Sequence, residues 1–173
     1  MSRHRYLSFA LALAVCATVL PALAEESAPV YEALFRQFGQ AALTYVVLEQ
    51  LLEPKEVAPL VERIKGFDFP KDRDKHRLRD FGAISVRLLT NDAYAELFAQ
   101  NRSCSEGWQA FHKRFPNKSL LKLSLVGFRN DGQEAAVILE GASACLGGST
   151  DLLIFDKKNS RWRFRDSINI GRS

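Results

Sequence analysis

The cysteines are the residues of this sequence with the clearest chemical potential. The chain has three, Cys16, Cys104 and Cys145, and Cys145 stands just before Gly147-Gly148. A cysteine can act as a nucleophile, coordinate a metal or form a disulfide. A nucleophile needs a histidine base nearby, and a metal site needs further ligands at short spacing. Which role applies depends on the compartment in which the chain folds.

The first 24 residues have the pattern of a secretory signal peptide. Arg3 and Arg5 give a basic start, residues 6–20 are almost wholly apolar, and Ala22-Leu23-Ala24 is a small-x-small cleavage site. The apolar run is too short for a typical membrane span. We therefore expect cleavage after Ala24, and a periplasmic or secreted protein with no transmembrane segment. Residues 25–173 would then form a single exported domain.

Two alternatives to this cleavage stay open. Leu13-Ala14-Val15-Cys16 resembles a lipoprotein processing box in which Cys16 would carry the lipid, although Val15 is larger than the residue usual at that position. The other alternative is an uncleaved N-terminal segment that anchors the chain as a helix.

Export favours a disulfide as the role of the two remaining cysteines. Cys16 leaves with the signal peptide, so Cys104 and Cys145 reach an oxidising compartment together. His76 and His112 are then the only histidines, and no C-x2-C spacing occurs. We predict a disulfide between Cys104 and Cys145, with free thiols or cysteine chemistry as the alternatives.

No other pattern in the sequence points to catalysis. Gly147-Gly148 lacks the Lys-Ser/Thr of a phosphate loop, and Ser149-Thr150-Asp151 has no histidine near it in sequence. We predict no catalytic residue, no metal and no cofactor. The predicted function is a non-enzymatic binding or interaction module. The alternative is a small enzyme or ligand-binding protein with a pocket inside a curved sheet.

Charge gives only a weak indication of a partner. The chain has 24 Lys+Arg and 20 Asp+Glu, and loss of Arg3 and Arg5 leaves 22 against 20, a net charge of +2. So small a charge would release few counterions, so we expect no nucleic-acid partner. The expected partner is an envelope or secreted protein, and the sequence does not determine the oligomeric state.

One local group of charges could bind an anionic partner. Arg161, Arg163 and Arg165 alternate with Trp162 and Phe164, the pattern of a strand with one apolar and one basic face. The alternative is an ordinary solvated face, or one covered by acidic side chains.

The N-terminal part, about residues 31–116, is predicted to be mainly helical. Apolar residues at steps of three and four predict a helix from Tyr31 to Leu52 after a frayed start, and a short helix between Pro59 and Gly66. A charged loop over 66–80 contains His76, and alternation predicts a strand over 83–89. A helix from Thr90 or Asn91 to about Gln100 follows.

A further helix should begin at the Ser103/Glu106 capping box and end at Pro116. Its spacing places Cys104 on the inward face with Trp108 and Phe111, where a disulfide would join the helix to the sheet.

The C-terminal part, about residues 119–170, is predicted to be an antiparallel meander. Its strands should span 120–128, 135–139, 152–155 and 161–165. Asn130-Asp131-Gly132 and residues 157–160 are turns, and Gly141–Thr150 is a glycine-rich loop that carries Cys145. The predicted class is α+β, with the N-terminal helices packed on one face of the meander.

The span from Trp108 to Trp162 resembles a family of uncharacterised exported bacterial proteins. The shared pieces are Trp108, Phe111 and Pro116, then "LSLVGF" at 123–128, "CLGGSTDLLIF" at 145–155 and Trp162. Leu125 stands where a basic residue is expected. The resemblance implies export but no particular activity. Helices that precede a curved sheet are also similar to cystatin-like and NTF2-like architectures.

We expect the exported protein to begin at Glu25. The Ala22-Leu23-Ala24 site is followed directly by two acidic residues, which suits cleavage after Ala24. Intact-mass measurement of the exported protein checks this. A diacylated Cys16 at the N-terminus would contradict the prediction and make the protein a lipoprotein.

Overall fold

The computed structural model of the chain describes residues 26–52, 64, 66–70, 77–81, 86–98 and 103–172. The predicted signal peptide with Cys16 and Ala24, most of the second predicted helix, and His76 lie outside the described residues. The helices are α1 (residues 26–38), α2 (Asn91–Leu97) and α3 (Cys104–Arg114), with 3-10 turns at Gly39–Thr44 and Leu78–Phe81. Within these ranges no helix is long and apolar enough to cross a membrane.

In the part of the chain that the structure describes, seven strands form one sheet. They are β1 (Tyr45–Leu48), β2 (Arg87–Leu89), β3 (Ser119–Leu123), β4 (Gly127–Arg129), β5 (Glu134–Ala144), β6 (Gly147–Lys158) and β7 (Arg161–Arg172). Their order is β2-β1-β3-β5-β6-β7, and β4 also pairs with β5. The pairs of β1 with β2 and β3 are parallel, and the others are antiparallel. The α+β class is therefore confirmed.

The first predicted helix is wrong beyond residue 38. Residues 45–48 form β1, which lies between β2 and β3 in the sheet. Its residues Val46 and Val47 are fully buried. A strand buried on both faces is apolar at nearly every position, and periodicity alone cannot distinguish it from a buried helix. Residues 26–30, predicted to be frayed, belong to α1, and Val30 and Tyr31 are fully buried.

Helices lie on both faces of the sheet, whereas the sequence predicted one face. On one face α1 packs against odd-numbered residues of β5 and β6, such as Val137, Leu153 and Phe155. On the other face α2 and α3 cover Val46, Leu48 and Leu120. Ile64, Phe67 and Phe69 extend that second layer over Ile138 and Ile154. Because successive strand side chains point to opposite faces, one apolar run supplies both layers.

The predicted strand 120–128 is two strands, β3 and β4, separated by a bulge. Leu123 pairs with Leu139 and Gly127 pairs with Ala136, so this edge of β5 faces one extra residue. Ser124 occupies the break, and its hydroxyl accepts a hydrogen bond from the Ile138 N–H at 2.9 Å. The Tyr31 hydroxyl donates to the Ser124 carbonyl at 2.8 Å, which ties α1 to the bulge.

Two long hairpins replace the predicted glycine-rich loop. β5 continues to Ala144 and β6 starts at Gly147, so only Cys145 and Leu146 connect them. The loop prediction was wrong. Glycine is depleted in strands, which favoured a loop, but here the glycine-containing end of β5 pairs with the glycine-containing start of β6. The β6–β7 turn is Asn159-Ser160, both with positive φ, as the twist of a two-residue hairpin requires.

The Cys104–Cys145 disulfide is present and joins α3 to the tip of the β5–β6 hairpin, with Cα atoms 5.8 Å apart. The Ser103/Glu106 capping box also forms, and Trp108 and Phe111 face inward as predicted. Cys104, however, is exposed. It is the first residue of α3 and does not belong to the apolar cluster that packs around Trp108. The disulfide therefore lies at the surface.

Breaking the disulfide should destabilise the protein. It closes a loop between residues 41 apart in sequence; the chain-entropy model gives at most about 4 kcal/mol for such a loop, and disulfides typically contribute about 2–4 kcal/mol. We expect reductant, or the Cys104→Ser/Cys145→Ser double variant, to lower the denaturant midpoint correspondingly. The double variant is the control, since reductant should not affect it further. Equal midpoints with and without reductant in the unmodified chain would contradict the prediction.

Candidate ligand-binding pocket and basic strand face

A cavity of about 400 Å³ lies on the α1 face of the sheet, beyond the C-terminal end of α1. Its apolar wall consists of Phe38, Tyr45, Leu121, Leu139 and Leu153. The leucines come from β3, β5 and β6 and point to the same face as the core beneath α1. The helix ends at residue 38, so this part of the sheet is not covered by it. The pocket thus continues the core layer into an open space.

The glycines and serines of the β5–β6 hairpin leave this space empty. Gly141, Gly147 and Gly148 line the cavity. A Cβ atom added to Gly141 would meet Leu121 Cδ2 at 3.4 Å and Ser149 Oγ at 4.0 Å, so it would occupy the gap between them. A cavity remains here because these positions carry small side chains, whereas the neighbouring positions of the same layer carry leucines that fill the core.

One carboxylate, Asp151, faces the pocket. Its Oδ1 accepts a hydrogen bond from Asn169 Nδ2 at 2.9 Å, and its Oδ2 accepts one from Ser149 Oγ at 3.0 Å. A register shift between β6 and β7 at Thr150/Asp151 brings Asn169 opposite Asp151. The two bonds fix the carboxylate at the polar side of the cavity, where Ser119, Ser143 and Ser167 also lie.

No histidine is among the described residues that line this pocket. His112 is exposed on α3, stacks against Trp108 with ring centroids 5.6 Å apart, and its Nε2–H donates to the Ser143 carbonyl at 2.9 Å. This bond reaches the β5 backbone from α3, and the His112 ring does not line the cavity. No group of three or more potential metal ligands occurs among the described residues.

Arg161 and Arg163 are exposed on β7, while Trp162 is buried and Phe164 half-buried. The basic and apolar faces of this strand are therefore arranged as predicted. Arg161 lies opposite Lys158, and Arg163 opposite Asp156. We call Lys158, Arg161 and Arg163 the basic strand face.

Arg165 differs from the other two arginines because it takes part in an ion-pair network. The pairing skips from Phe155/Phe164 to Ile154/Asp166, which leaves Arg165 in a β-bulge. Its Nη1 lies 2.8 Å from Asp156 Oδ1 and 3.1 Å from Glu134 Oε2. Arg129 Nε donates to the same Glu134 oxygen at 2.7 Å. All three arginines of the stripe are therefore exposed, but Arg165 is held in an ion-pair network.

The sequence did not identify the pocket. The sequence predicts a glycine-rich loop over Gly141–Thr150, which contains Ser149 and ends just before Asp151, and alternation within a loop does not place side chains on a common face. As a strand, residues 149, 151 and 153 share one face, and that spacing was the available signal. Comparisons with protein-family models, curated protein sequences and solved structures find no match to this chain. The family resemblance therefore stays a prediction.

The Glu134 network should make stability depend on pH. The hydrogen bond from Arg129 lowers the pKa of Glu134, and the charges of Arg129 and Arg165 lower it further. Because the folded pKa lies below the unfolded value of 4.5, the stabilisation is complete above that value and is lost as the pH falls through the folded pKa. At pH 7, Glu134→Gln should cost about 1 kcal/mol in the free energy of unfolding.

The control is Glu140→Gln on the same strand. Glu140 pairs with Lys122 at 3.3 Å and its side chain is 40% exposed, so its loss should cost less. Denaturant titrations at pH 7 and pH 3.5 check both. The gap between Glu134→Gln and the unmodified chain should narrow at pH 3.5, and a constant gap would show that Glu134 does not act through its charge.

Proposed function

We propose that this chain is an exported binding protein that holds a small, partly apolar ligand in the pocket between the end of α1 and the sheet. The observation that carries the proposal is the cavity of about 400 Å³ with an apolar wall on one side and a fixed carboxylate with several hydroxyls on the other. Ligand sites typically have this size and this combination of apolar surface with a few placed polar groups.

The pocket supports binding better than catalysis. Acid–base or nucleophilic work needs a base within hydrogen-bond reach of the reacting group, and the described residues that line the pocket include serines and one aspartate but no histidine. Both carboxylate oxygens of Asp151 already accept hydrogen bonds from the protein. Such a group is positioned for recognition.

Export is supported by two independent features. The N-terminal residues have the signal-peptide pattern, and a disulfide joins the two cysteines that would remain after cleavage. Disulfides persist in oxidising compartments. We therefore propose a periplasmic or secreted location for the protein.

Filling the pocket should abolish ligand binding. Ser167 and Ile168 are adjacent on β7; Ser167 lines the cavity, and Ile168 pairs with Leu152 of the opposite face. We expect Ser167→Phe to weaken the binding of N-phenyl-1-naphthylamine, an apolar probe that is neutral at pH 7, by at least about tenfold, since the ring would occupy the pocket. Probe fluorescence measures the affinity.

Ile168→Phe is the matched control, because it adds the same ring to the other face of the same strand. Its affinity should equal that of the unmodified chain. The proposal fails if the probe does not bind, or if both variants bind it equally well.

A second candidate function uses the basic strand face. Lys158, Arg161 and Arg163 are exposed, and no ion pair joins them to another described residue. Three adjacent cations on a rigid hairpin could hold an acidic surface of an envelope or secreted protein. The same sheet positions the pocket and this face, so one protein could use both.

Replacing Arg161 and Arg163 by Ser should weaken the binding of poly-L-glutamate, most clearly at low salt, where exposed charges are least screened. The melting temperature should stay within a few degrees, because exposed charges contribute little to stability. Arg165→Ser is the contrasting variant: it should lower the melting temperature more and affect binding less. Unchanged binding by the Arg161/Arg163 variant would eliminate this candidate.

A further inference from the structure

We propose that the pocket selects a cationic ligand: an amphipathic amine with one ammonium group on a compact, apolar or aromatic body. This inference rests on the proposed function, since it assigns a chemical class to the ligand of the same pocket. It follows from the charge, the hydrogen bonding and the aromatic surface of the cavity.

The charged side chain that lines the cavity is an aspartate. No lysine, arginine or histidine is among the described residues of its wall, and Asp151 has no ion pair within the described part of the chain. Its cross-strand neighbours, Leu139 and Asn169, are uncharged. Among the described side chains, the negative charge of the cavity therefore has no cationic partner, and such a charge repels anions and attracts cations.

Lys118 is the cation next to the pocket in sequence, and it is engaged elsewhere. It precedes Ser119 of the cavity wall, but its ammonium group donates to the backbone carbonyl of Leu43. It therefore does not neutralise Asp151 within the cavity.

The hydrogen bonds of Asp151 leave room for a ligand. A carboxylate has about four acceptor positions, and Asn169 and Ser149 occupy two, one on each oxygen. These neutral donors hold the carboxylate in place without cancelling its charge. An ammonium group is a suitable occupant of the remaining positions, because it donates up to three hydrogen bonds and brings the opposite charge.

Aromatic rings complete the match to an amine. Phe38 and Tyr45 line the cavity with ring centroids 5.7 Å apart. Aromatic faces stabilise nearby cations and also pack against apolar groups. Together with Leu121, Leu139 and Leu153, they provide the surface for the uncharged body of the ligand.

Three isosteric probes test the inference: 2-phenylethylamine, 2-phenylethanol and phenylacetate. They share a phenyl ring and a short chain but carry positive, zero and negative charge at pH 7. Titration of the oxidised, full exported chain, followed by backbone amide NMR shifts in β5 and β6, measures each affinity and locates the site. We expect the amine to bind at least about tenfold more tightly than the alcohol, and phenylacetate to bind most weakly.

Two variants assign the preference to Asp151. Asp151→Asn removes the charge while keeping an amide that can hold Ser149 and Asn169, and it should bring the affinity for the amine to that for the alcohol. Asp166→Asn is the matched control, since Asp166 lies opposite Ile154 on the other face of the same hairpin; it should retain the preference. Should Asp151→Asn fail to fold, the comparison of probes on the unmodified chain still decides.

Each outcome is informative. Equal affinity for the amine and the alcohol, or a preference that persists in Asp151→Asn, overturns the inference but leaves the binding proposal standing. If none of 2-phenylethylamine, 2-phenylethanol and N-phenyl-1-naphthylamine binds at the pocket, the proposed function itself fails, and the inference fails with it.

Discussion

The burial of β5 on both faces is the constraint on which the rest of the structure depends. Residues Ala135 to Leu139 are all buried, with Ala135, Val137 and Leu139 facing one layer and Ala136 and Ile138 the other. A shift of one residue would exchange the two sets of side chains and misfit both layers. The register of β5 therefore fixes the positions of β3 and β4 on one edge and of β6 on the other, and with them the faces to which the helices can bind.

Local signals in the sequence were sufficient for much of this fold. The capping box at Ser103 and the Asn130-Asp131-Gly132 turn lie where the sequence predicted them, and the turn predicted over 157–160 is present but limited to Asn159-Ser160. Each depends on residues within a few positions of one another, so a single sequence contains the necessary information. The alternation of Trp162 with its arginine neighbours is equally local.

The features that the sequence did not predict depend on distant partners. β1 is a strand because β2 and β3 pair with it from about 40 and 74 positions away; the apolar periodicity around it is also consistent with a helix. The glycine-rich halves of β5 and β6 are strands because they pair with each other. The pocket forms only where β1, the paired ends of β5 and β6, and the end of α1 come together. Asp151 therefore lines a pocket only in the assembled sheet.

The parallel position of β1 has a consequence for the order in which the chain can fold. Its partner β3 begins at Ser119, far along the chain, whereas β5, β6 and β7 pair with near neighbours in sequence. When the chain becomes available from its N-terminus onward, Val46 and Val47, which are fully buried in the folded protein, stay unpaired. Their partner β3 is reached only after more than half of the chain. Unpaired apolar strands of this kind associate with one another. The early intermediate, more than the finished molecule, is therefore the species for which a holding chaperone in the folding compartment would matter.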